Sequence, residues 1–525
     1  MFDIEFSRVL EQLQYMPDSP MIFSSGIFLF LFLGFTLIYN MLGKADTLRI
    51  LFVTLFSYYF YYKSSGMFFW LLALVTVCDY YIARAIGGLK EKGGLAKTLV
   101  ALSLIIDLGL LVFFKYTNFL GETICTALAA NGIHVPASIS GSFLQGVAWQ
   151  PRDIFLPVGI SFFTFQSLSY TIDVYRGNIR PLSRLLDYAF YVSFFPQLVA
   201  GPIVRARDFI PQIRRPLMVT SDMFGKGVFC IIAGLFKKAV ISDYISVNFV
   251  ERIFDQPDLY SGLENLLAVY GYTLQIYCDF SGYSDMAIGI ALLLGFEFPK
   301  NFDNPYKSSS ITEFWRRWHI SLSSWLKDYL YISLGGNRHG KLRQYFNLLM
   351  TMLLGGLWHG ASLNFILWGG LHGLFLCVDK MWKSICPVLS PISYLPRKGA
   401  TPTPRPWHTY PIIFLGGLLT FHLVAACWVL FRAPSFDIAQ QVFDQILHKF
   451  QPQIFLQWCT SYKAVGSLML LGYLLHFLPS SLFDRLHRLI TKLPLILQAL
   501  LIVIVIYIVI QIKSSDVQPF IYFQF

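Results

Sequence analysis

Charged residues are scarce in this chain. They make up 14% of its 525 residues, against about 25% in an ordinary soluble domain. Hydrophobic residues reach 55%, aromatic residues 17%, and the mean hydropathy is +0.56. So little charge argues against a soluble globular protein and indicates a chain that crosses a membrane several times. The net charge of +11 then reflects cytoplasmic loops rich in Lys and Arg rather than nucleic-acid binding.

Paired cysteines and several common catalytic motifs are also lacking. The eight cysteines are scattered, without a CxxC pair or zinc spacing, so we expect neither a disulfide framework nor a metal site. Without a GxSxG elbow, an HExxH motif, a Walker A loop or a GxGxxG fingerprint, ATP hydrolysis is not expected. Since no basic segment opens the chain, the first apolar run is predicted to be a retained transmembrane helix.

Apolar runs near the roughly 20 residues that a membrane-spanning helix needs recur along the chain. They lie at residues 21–41, 48–62, 67–85, 98–116, 154–173, 226–247, 263–280, 284–298, 362–379, 409–431, 463–479 and 494–512. Segments 186–202 and 344–360 are interrupted by Gly and Pro, which predicts re-entrant or half-spanning segments. The pattern predicts an all-α polytopic membrane protein with about 11 transmembrane helices.

The basic residues orient the predicted helices. The loop Arg84–Lys97 is strongly positive, whereas residues 121–150 contain neither Lys nor Arg. Positive loops stay in the cytoplasm, so the first loop is predicted inside and the second outside. Counting helices from there places both the N-terminus and the C-terminus outside.

Two segments have the spacing of amphipathic helices that lie in the membrane interface or at the mouth of a cavity. The first covers residues 311–332, and the second, Phe436–Phe450, is predicted to be a connector on the surface. In the first segment, the apolar stripe consists of Trp315, Trp318, Leu322, Trp325 and Tyr329. The polar stripe consists of Thr312, Arg316, His319, Ser323 and Lys327.

A histidine in the stretch GGLWHGAS, residues 355–362, is a candidate for chemistry. Its glycines permit close approach of a ligand to the backbone, and Trp358 supplies an aromatic wall. Burial favours the neutral form of His359, which can act as a general base toward a hydroxyl. A hydrogen-bonded packing histidine is the alternative, and the residues by themselves favour that interpretation.

Other polar residues near apolar sequence are also candidates for function. His319 is a second catalytic residue, a substrate-orienting donor or an interfacial polar residue. His372 and His422 are predicted to form hydrogen bonds between helices. Asp279 and Asp285 are costly in a membrane unless paired, so they are either ion-coupling carboxylates of a transporter or packing residues.

Five long motifs in a fixed order carry a family resemblance. They are LPVGISFFTFQSLSYTIDVYRG (Leu156–Gly177), FFPQLVAGPIVRARDFIPQI (Phe194–Ile213), YCDFSGYSDMAIGIALLLGFEFPKNFDNPY (Tyr277–Tyr306), FWRRWHISLSSWLKDYLYISLGG (Phe314–Gly336) and LLGGLWHGASLNFILWGGLHG (Leu353–Gly373). Together they resemble the membrane-bound O-acyltransferase (MBOAT) family, nearest its alginate O-acetylation branch and further from its D-alanyl transfer branch. The similarity runs from about residue 21 to the C-terminus.

The resemblance implies one membrane domain over residues 1–525. Residues 1–20 then precede the membrane, and residues 150–375 form the catalytic core, with re-entrant and amphipathic helices around a central cavity. It also implies a multi-pass protein of the bacterial inner membrane. Acetyl groups would pass from a cytoplasmic thioester such as acetyl-coenzyme A, with no tightly bound cofactor, to a cell-envelope or secreted polysaccharide. That acceptor is reached directly or through an SGNH-type partner protein, within membrane lipid.

The resemblance assigns roles to particular positions. The family's two histidine motifs match His359 and His319, which are the expected catalytic residues, and Asn301 matches a less secure polar position. The residues expected to bind substrate around them are Trp358, Arg316, Ser323, Asn364 and Trp315.

Two other functions compete with acetyl transfer. One is D-alanyl or lipid O-acyl transfer within the same family. The other is a transporter or flippase with Asp279, Asp285 and Arg205 along its pathway. Transporters commonly contain repeated halves, and the sequence shows no internal repeat.

Overall fold

The computed structural model describes residues 11–17, 20–43, 45–89, 93–131, 154–216, 218–390 and 409–512. The regular elements in these ranges are helices, which agrees with the all-α prediction. The predicted outer loop at residues 121–150 and both chain termini lie largely or wholly outside the described residues. The longer helices and those near the site are α1 (Gly26–Met41), α2 (Asp46–Ser65), α3 (Phe69–Gly88), α4 (Gly94–Ala130), α5 (Ile160–Arg176), α6 (Leu185–Ser193), α7 (Ala206–Ile213), α8 (Ser221–Leu235), α9 (Gly262–Leu293), α10 (Ile311–Arg317), α11 (Ile320–Trp325), α12 (Gly340–His359), α13 (Leu363–Ile385), α14 (Thr409–Arg432), α15 (Phe436–His448), α16 (Phe455–Ser461), α17 (Lys463–Phe477), α18 (Ser480–Lys492) and α19 (Leu495–Ile512).

Three stretches of the described chain are long and apolar enough to cross a membrane. They are α2 together with α3, then α4, and then α14. Helices α17 and α18 meet the same criterion only as a pair, and they bend by 94° at the break between them. Length and composition therefore indicate a membrane protein but identify fewer spans than the expected 11 or so. Several other helices carry polar side chains that are buried against protein, which lowers their apolar character.

The two apolar runs predicted at residues 263–280 and 284–298 form one helix rather than two. Helix α9 runs unbroken for 32 residues and begins with a capping box between Ser261 and Glu264. Gly282 does not interrupt it. A Cβ atom at Gly282 would lie 2.8 Å from the carbonyl oxygen of Gly234 in α8, so the missing side chain permits close helix packing instead of a turn.

The backbone interruption predicted within residues 344–360 is also absent, because α12 is continuous through the glycine pair. A Cβ atom on Gly356 would lie 2.2 Å from the carbonyl oxygen of Phe365, and one on Gly369 would lie 2.3 Å from that of Met352. These glycines let α12 and α13 pack backbone against backbone. In contrast, residues 186–202 are interrupted as predicted, since α6 ends at Ser193 and a four-residue helical turn follows.

The amphipathic segment 311–332 is not a single helix. Helix α10 ends at Arg317, Trp318 is extended, and His319 adopts a left-handed conformation with φ 40° before α11 begins. A π-helical turn follows α11. The break moves His319 off the predicted polar stripe: it is 0% exposed, whereas Arg316 and Lys327 are exposed. The second segment forms the predicted helix, α15, with Ala439 and Val442 buried.

Candidate active site

His359 is the last residue of α12 and is 3% exposed. Aromatic rings surround its imidazole. The ring centroids of Trp358 and Trp368 each lie 5.0 Å away, and that of Phe431 lies 5.2 Å away. The family-type histidine therefore lies inside a buried aromatic chamber formed by α12, α13 and α14.

Side chains bind the last carbonyl oxygens of the helix that carries His359. Gly360, which follows the helix, is extended, and the donors to these carbonyls come from α4. The Lys115 ammonium donates to the carbonyl oxygens of Trp358 and His359, at 2.9 and 2.6 Å, and the Tyr116 hydroxyl donates to that of Leu357.

His319 is held by a polar cluster around Asn301. The Asn301 side-chain oxygen lies 3.2 Å from His319 Nδ1 and accepts from the Ser321 hydroxyl at 2.8 Å. The Asn301 amide nitrogen donates to the Ser284 hydroxyl at 3.1 Å. Because this oxygen only accepts, it favours the tautomer with the proton on Nδ1. His319 Nε2 is then an acceptor, and no hydrogen-bond partner for it occurs within the described part of the chain.

Main-chain hydrogen bonds hold the Asn301 loop against the break between α10 and α11. Ile320 N–H donates to the Asn301 carbonyl oxygen at 2.8 Å, and Asp303 N–H donates to that of Arg317 at 2.9 Å. Burial acts to raise the pKa of the Asp303 carboxyl, but the hydrogen bond and charge of Lys300 and the charge of Arg317 hold it below its usual range. These contacts replace the helical bonds that a continuous 311–332 helix would have made.

Trp358 lies between the two histidines. Its ring centroid is 6.2 Å from His319 and 5.0 Å from His359, and Phe162 packs edge-on against it at 5.5 Å. The fold thus brings two residues 40 positions apart to the same indole. Both imidazoles therefore lie beside the same indole ring.

Two cavities adjoin this region. A small cavity of about 30 Å³ is lined by Lys115 and Trp358, together with the segment 156–162. A larger one, of about 270 Å³, is lined by Phe302, Lys237 and Lys300 among others. Phe302 packs against the His319 ring with centroids 6.2 Å apart. The site is therefore adjacent to open space on the α4–α5 side and on the α8–α17 side.

The other residues expected to bind substrate have varied surroundings. Arg316 is exposed at the end of α10, and the Ser323 hydroxyl donates to the Trp318 carbonyl oxygen at 3.2 Å. The buried Asn364 donates to the Ala433 carbonyl oxygen at 3.0 Å. Trp315 packs on Trp368, with centroids 5.7 Å apart, and so is one ring removed from His359. Trp358 is the member of this group that lies between the histidines.

The predicted interhelical histidines make the contacts expected of them. The Trp315 indole donates to His372 Nδ1 at 3.3 Å, which links α10 and α13. His422 Nε2 lies 3.1 Å from the Tyr270 hydroxyl, which links α14 and α9. Both therefore have packing roles.

The two carboxylates considered for a transport pathway form ion pairs. Asp279 pairs with the buried Lys238, whose ammonium also lies 2.8 Å from Asp243. Asp285 pairs with Lys237 at 2.7 Å. Such compensation is what a carboxylate in a membrane needs for a structural role, and it leaves no uncompensated acidic pathway at these positions.

Sequence reasoning missed Lys115 and Trp368, and it placed little weight on Asn301. Lys115 did carry a signal, since it is a charged residue at the end of the apolar run 98–116. Trp368 carried none, because a tryptophan in an apolar helix is ordinary for a membrane protein. The contact between Asn301 and His319 depends on the helix break, which the residue spacing concealed.

Comparison with known proteins identifies relatives of this chain. The family model for "MBOAT, membrane-bound O-acyltransferase family" matches residues 178–393. The chain is 41% identical over 423 residues to the "Probable alginate O-acetylase AlgI" of Azotobacter vinelandii, which covers 81% of this chain and 77% of that protein. It is 34% identical over 452 residues to the "Peptidoglycan O-acetyltransferase" of Helicobacter pylori, with 80% and 79% covered.

A more distant relative is the "Teichoic acid D-alanyltransferase" of Bacillus subtilis. It is 31% identical over 243 residues, which cover 43% of this chain and 59% of that protein. The matched segment of the family model contains both His319 and His359, the two histidines that flank Trp358. The chain belongs to the membrane-bound O-acyltransferase family.

Proposed function

We propose that this acyltransferase moves acetyl groups to a cell-envelope or secreted polysaccharide. The observation that carries the proposal is the placement of His319 and His359 on either side of Trp358, inside a buried chamber with cavities on two sides. The relatives that match about four fifths of the chain are a probable alginate O-acetylase and a peptidoglycan O-acetyltransferase, which supports this acceptor class.

In the proposed reaction, His359 acts as the general base. Its neutral imidazole removes the proton of an acceptor hydroxyl while the hydroxyl oxygen attacks the acetyl thioester carbonyl. The carbon–sulfur bond then breaks, and the leaving thiolate takes the proton from His359, so that the products are an ester and a free thiol. His319 accepts a hydrogen bond through Nε2 and orients the acceptor.

The proposal includes the two partners and the membrane arrangement. The donor is a cytoplasmic thioester such as acetyl-coenzyme A, and no tightly bound cofactor takes part. The acceptor polymer is reached directly or through an SGNH-type partner protein. We place the chain in the bacterial inner membrane as one domain, with about 11 crossings, both termini outside and a catalytic core at residues 150–375. Trp358, Trp315, Asn364, Arg316 and Ser323 are the proposed substrate-binding residues.

D-Alanyl or lipid O-acyl transfer is the second candidate. The D-alanyltransferase relative supports it, but that relative matches less than half of the chain. Transport is the third, and the ion pairs of Asp279 and Asp285 weigh against it. Mass spectrometry of envelope polymers from cells with and without the protein separates these functions. Loss of O-acetyl groups supports the proposal, whereas loss of D-alanyl or lipid acyl groups contradicts it.

The site is tested with His359→Ala, and with His448→Ala as the matched control because His448 is exposed at the end of α15. Removal of a general base costs about 10²–10⁴-fold in rate. We expect the O-acetyl content to fall to background in the first variant and to stay unchanged in the second, at equal protein in the membrane. Full acetylation by His359→Ala would overturn the assignment.

A further inference from the structure

Lys115 is a charged residue within α4, one of the helices apolar and long enough to cross a membrane. A charge at such a position is costly and by default marks a function with an identifiable partner. Its partners here are the carbonyl oxygens of Trp358 and His359, with Tyr116 next to it on Leu357. Two neighbouring side chains of α4 thus bind three consecutive carbonyls at the end of the helix that carries the proposed base.

We propose that Lys115, assisted by Tyr116, is a positioning residue that holds the end of α12 and thereby fixes His359 in the reactive orientation. The inference rests on the proposed role of His359 as the base.

The helix end explains why an ammonium is suited to this task. The C-terminal carbonyls of a helix carry partial negative charge, and a cation is favoured there. Gly360 is extended, and donors from α4 reach the last three carbonyls of α12, those of residues 357–359. Because one terminal nitrogen donates to two consecutive carbonyls, Lys115 restricts the motion of the peptide groups on both sides of the Trp358–His359 link.

The location of Lys115 adds a second argument. It lines the small cavity together with Pro157, Gly159, Ser161 and Trp358. A cavity beside a helix end gives that end room to move, and the Lys115 contacts are among those that oppose this movement. The Trp358 indole also donates to the Ser161 carbonyl oxygen, at 3.4 Å. Because Lys115 binds the carbonyls of both Trp358 and His359, one side chain acts on the backbone of the base and of the aromatic residue next to it.

The test is Lys115→Met, which keeps most of the side-chain volume but removes the donors. Membrane vesicles that contain the full chain are assayed with acetyl-coenzyme A as donor and extracted envelope polysaccharide as acceptor, and thiol release is measured. We expect kcat to fall at least tenfold while KM for the donor changes less than threefold. Lys115→Arg restores part of kcat, and Tyr116→Phe lowers it severalfold. Lys341→Met, at the exposed start of α12, retains full activity.

The inference is overturned if Lys115→Met keeps kcat within twofold while His359→Ala is inactive. If His359→Ala is itself active, the proposed function fails and not the positioning role alone. A combined Lys115→Met and His359→Ala variant should lose no more activity than His359→Ala, because positioning has no value once the base is gone. Melting temperatures of all variants are compared, and if Lys115→Met does not fold, Tyr116→Phe decides: an unchanged kcat contradicts the inference.

Discussion

The orientation of His319 depends on one amide side chain. Asn301 accepts from Ser321 and contacts His319 Nδ1 through the same oxygen, while its nitrogen donates to Ser284. All four residues are buried, so no water replaces a lost contact at low cost. Asn301 therefore fixes which imidazole nitrogen is directed to a substrate.

We predict that Asn301→Leu lowers acetylation. Leaving buried hydrogen-bonding groups unsatisfied costs about 1–3 kcal/mol, and if this falls on the reacting state the rate drops by roughly 5- to 150-fold. O-acetyl content per amount of membrane protein is the measurement. Asn248→Leu is the control, because Asn248 bonds within its own helical segment. Unchanged acetylation by Asn301→Leu would show that His319 needs no such orientation.

At the residue scale, sequence motifs located both histidines, and the structure places them around Trp358 as one site. The surroundings of His319 were not predictable from spacing. Residues 312, 316, 319 and 323 have helical periodicity, but the backbone between α10 and α11 bonds to the loop at residues 301–303 instead. A periodic pattern shows which residues would share a face if a helix formed. It does not show that a loop distant in sequence forms hydrogen bonds with the same backbone and so prevents the helix from continuing.

At the scale of the helices, glycines allow α12 and α13 to pack closely against each other. Gly356 and Gly369 face one another across the two helices. A Cβ atom on either residue would clash with a carbonyl oxygen of the other helix. Small residues of this kind let transmembrane helices approach closely and gain van der Waals contact. The sequence suggested a break at Gly356, within residues 344–360, because Gly is a poor helix former in water.

Gly356→Ala is expected to destabilise the protein, since its Cβ would lie 2.2 Å from the Phe365 carbonyl oxygen. Overpacking of this kind costs about 1–3 kcal/mol or more. Gly109→Ala in α4 is the matched control: nothing lies within 4 Å of its Cβ position, so no loss is expected. The melting temperature and yield of detergent-solubilised protein distinguish the two. Equal behaviour of both variants would contradict the packing argument.

For the whole molecule, the number of membrane crossings is where sequence pattern and helix composition differ most. Helices α12 and α13 fall short of the apolar criterion that α14 meets, although the proposed topology requires all three to cross. The composition and the apolar runs predicted the all-α membrane class correctly, because composition is an average over the whole chain and is insensitive to single helices. It cannot count crossings, since a helix enclosed by other helices is free to carry Asn, Thr and His.

We predict that Lys341 and Gln451 lie on opposite sides of the membrane, with three crossings between them. Both side chains are exposed, so Lys341→Cys and Gln451→Cys are made in a chain whose eight native cysteines are replaced. In spheroplasts, an impermeant thiol reagent should label position 451 directly and position 341 only after permeabilisation. Labelling of both positions from the same side would require α12 or α13 to remain within one leaflet.

The left-handed conformation of His319 has a consequence for engineering. His319 and Asn304 are the non-glycine residues with positive φ in the described ranges, and such a conformation stores about 1–3 kcal/mol that the surroundings must offset. Glycine at position 319 would relieve this strain, but it would also empty a fully buried site and remove the contact with Asn301, and the cavity costs more than the strain. The strained residue is therefore tied to its own packing, and attempts to raise the heat resistance of this enzyme should leave position 319 unchanged and use other sites.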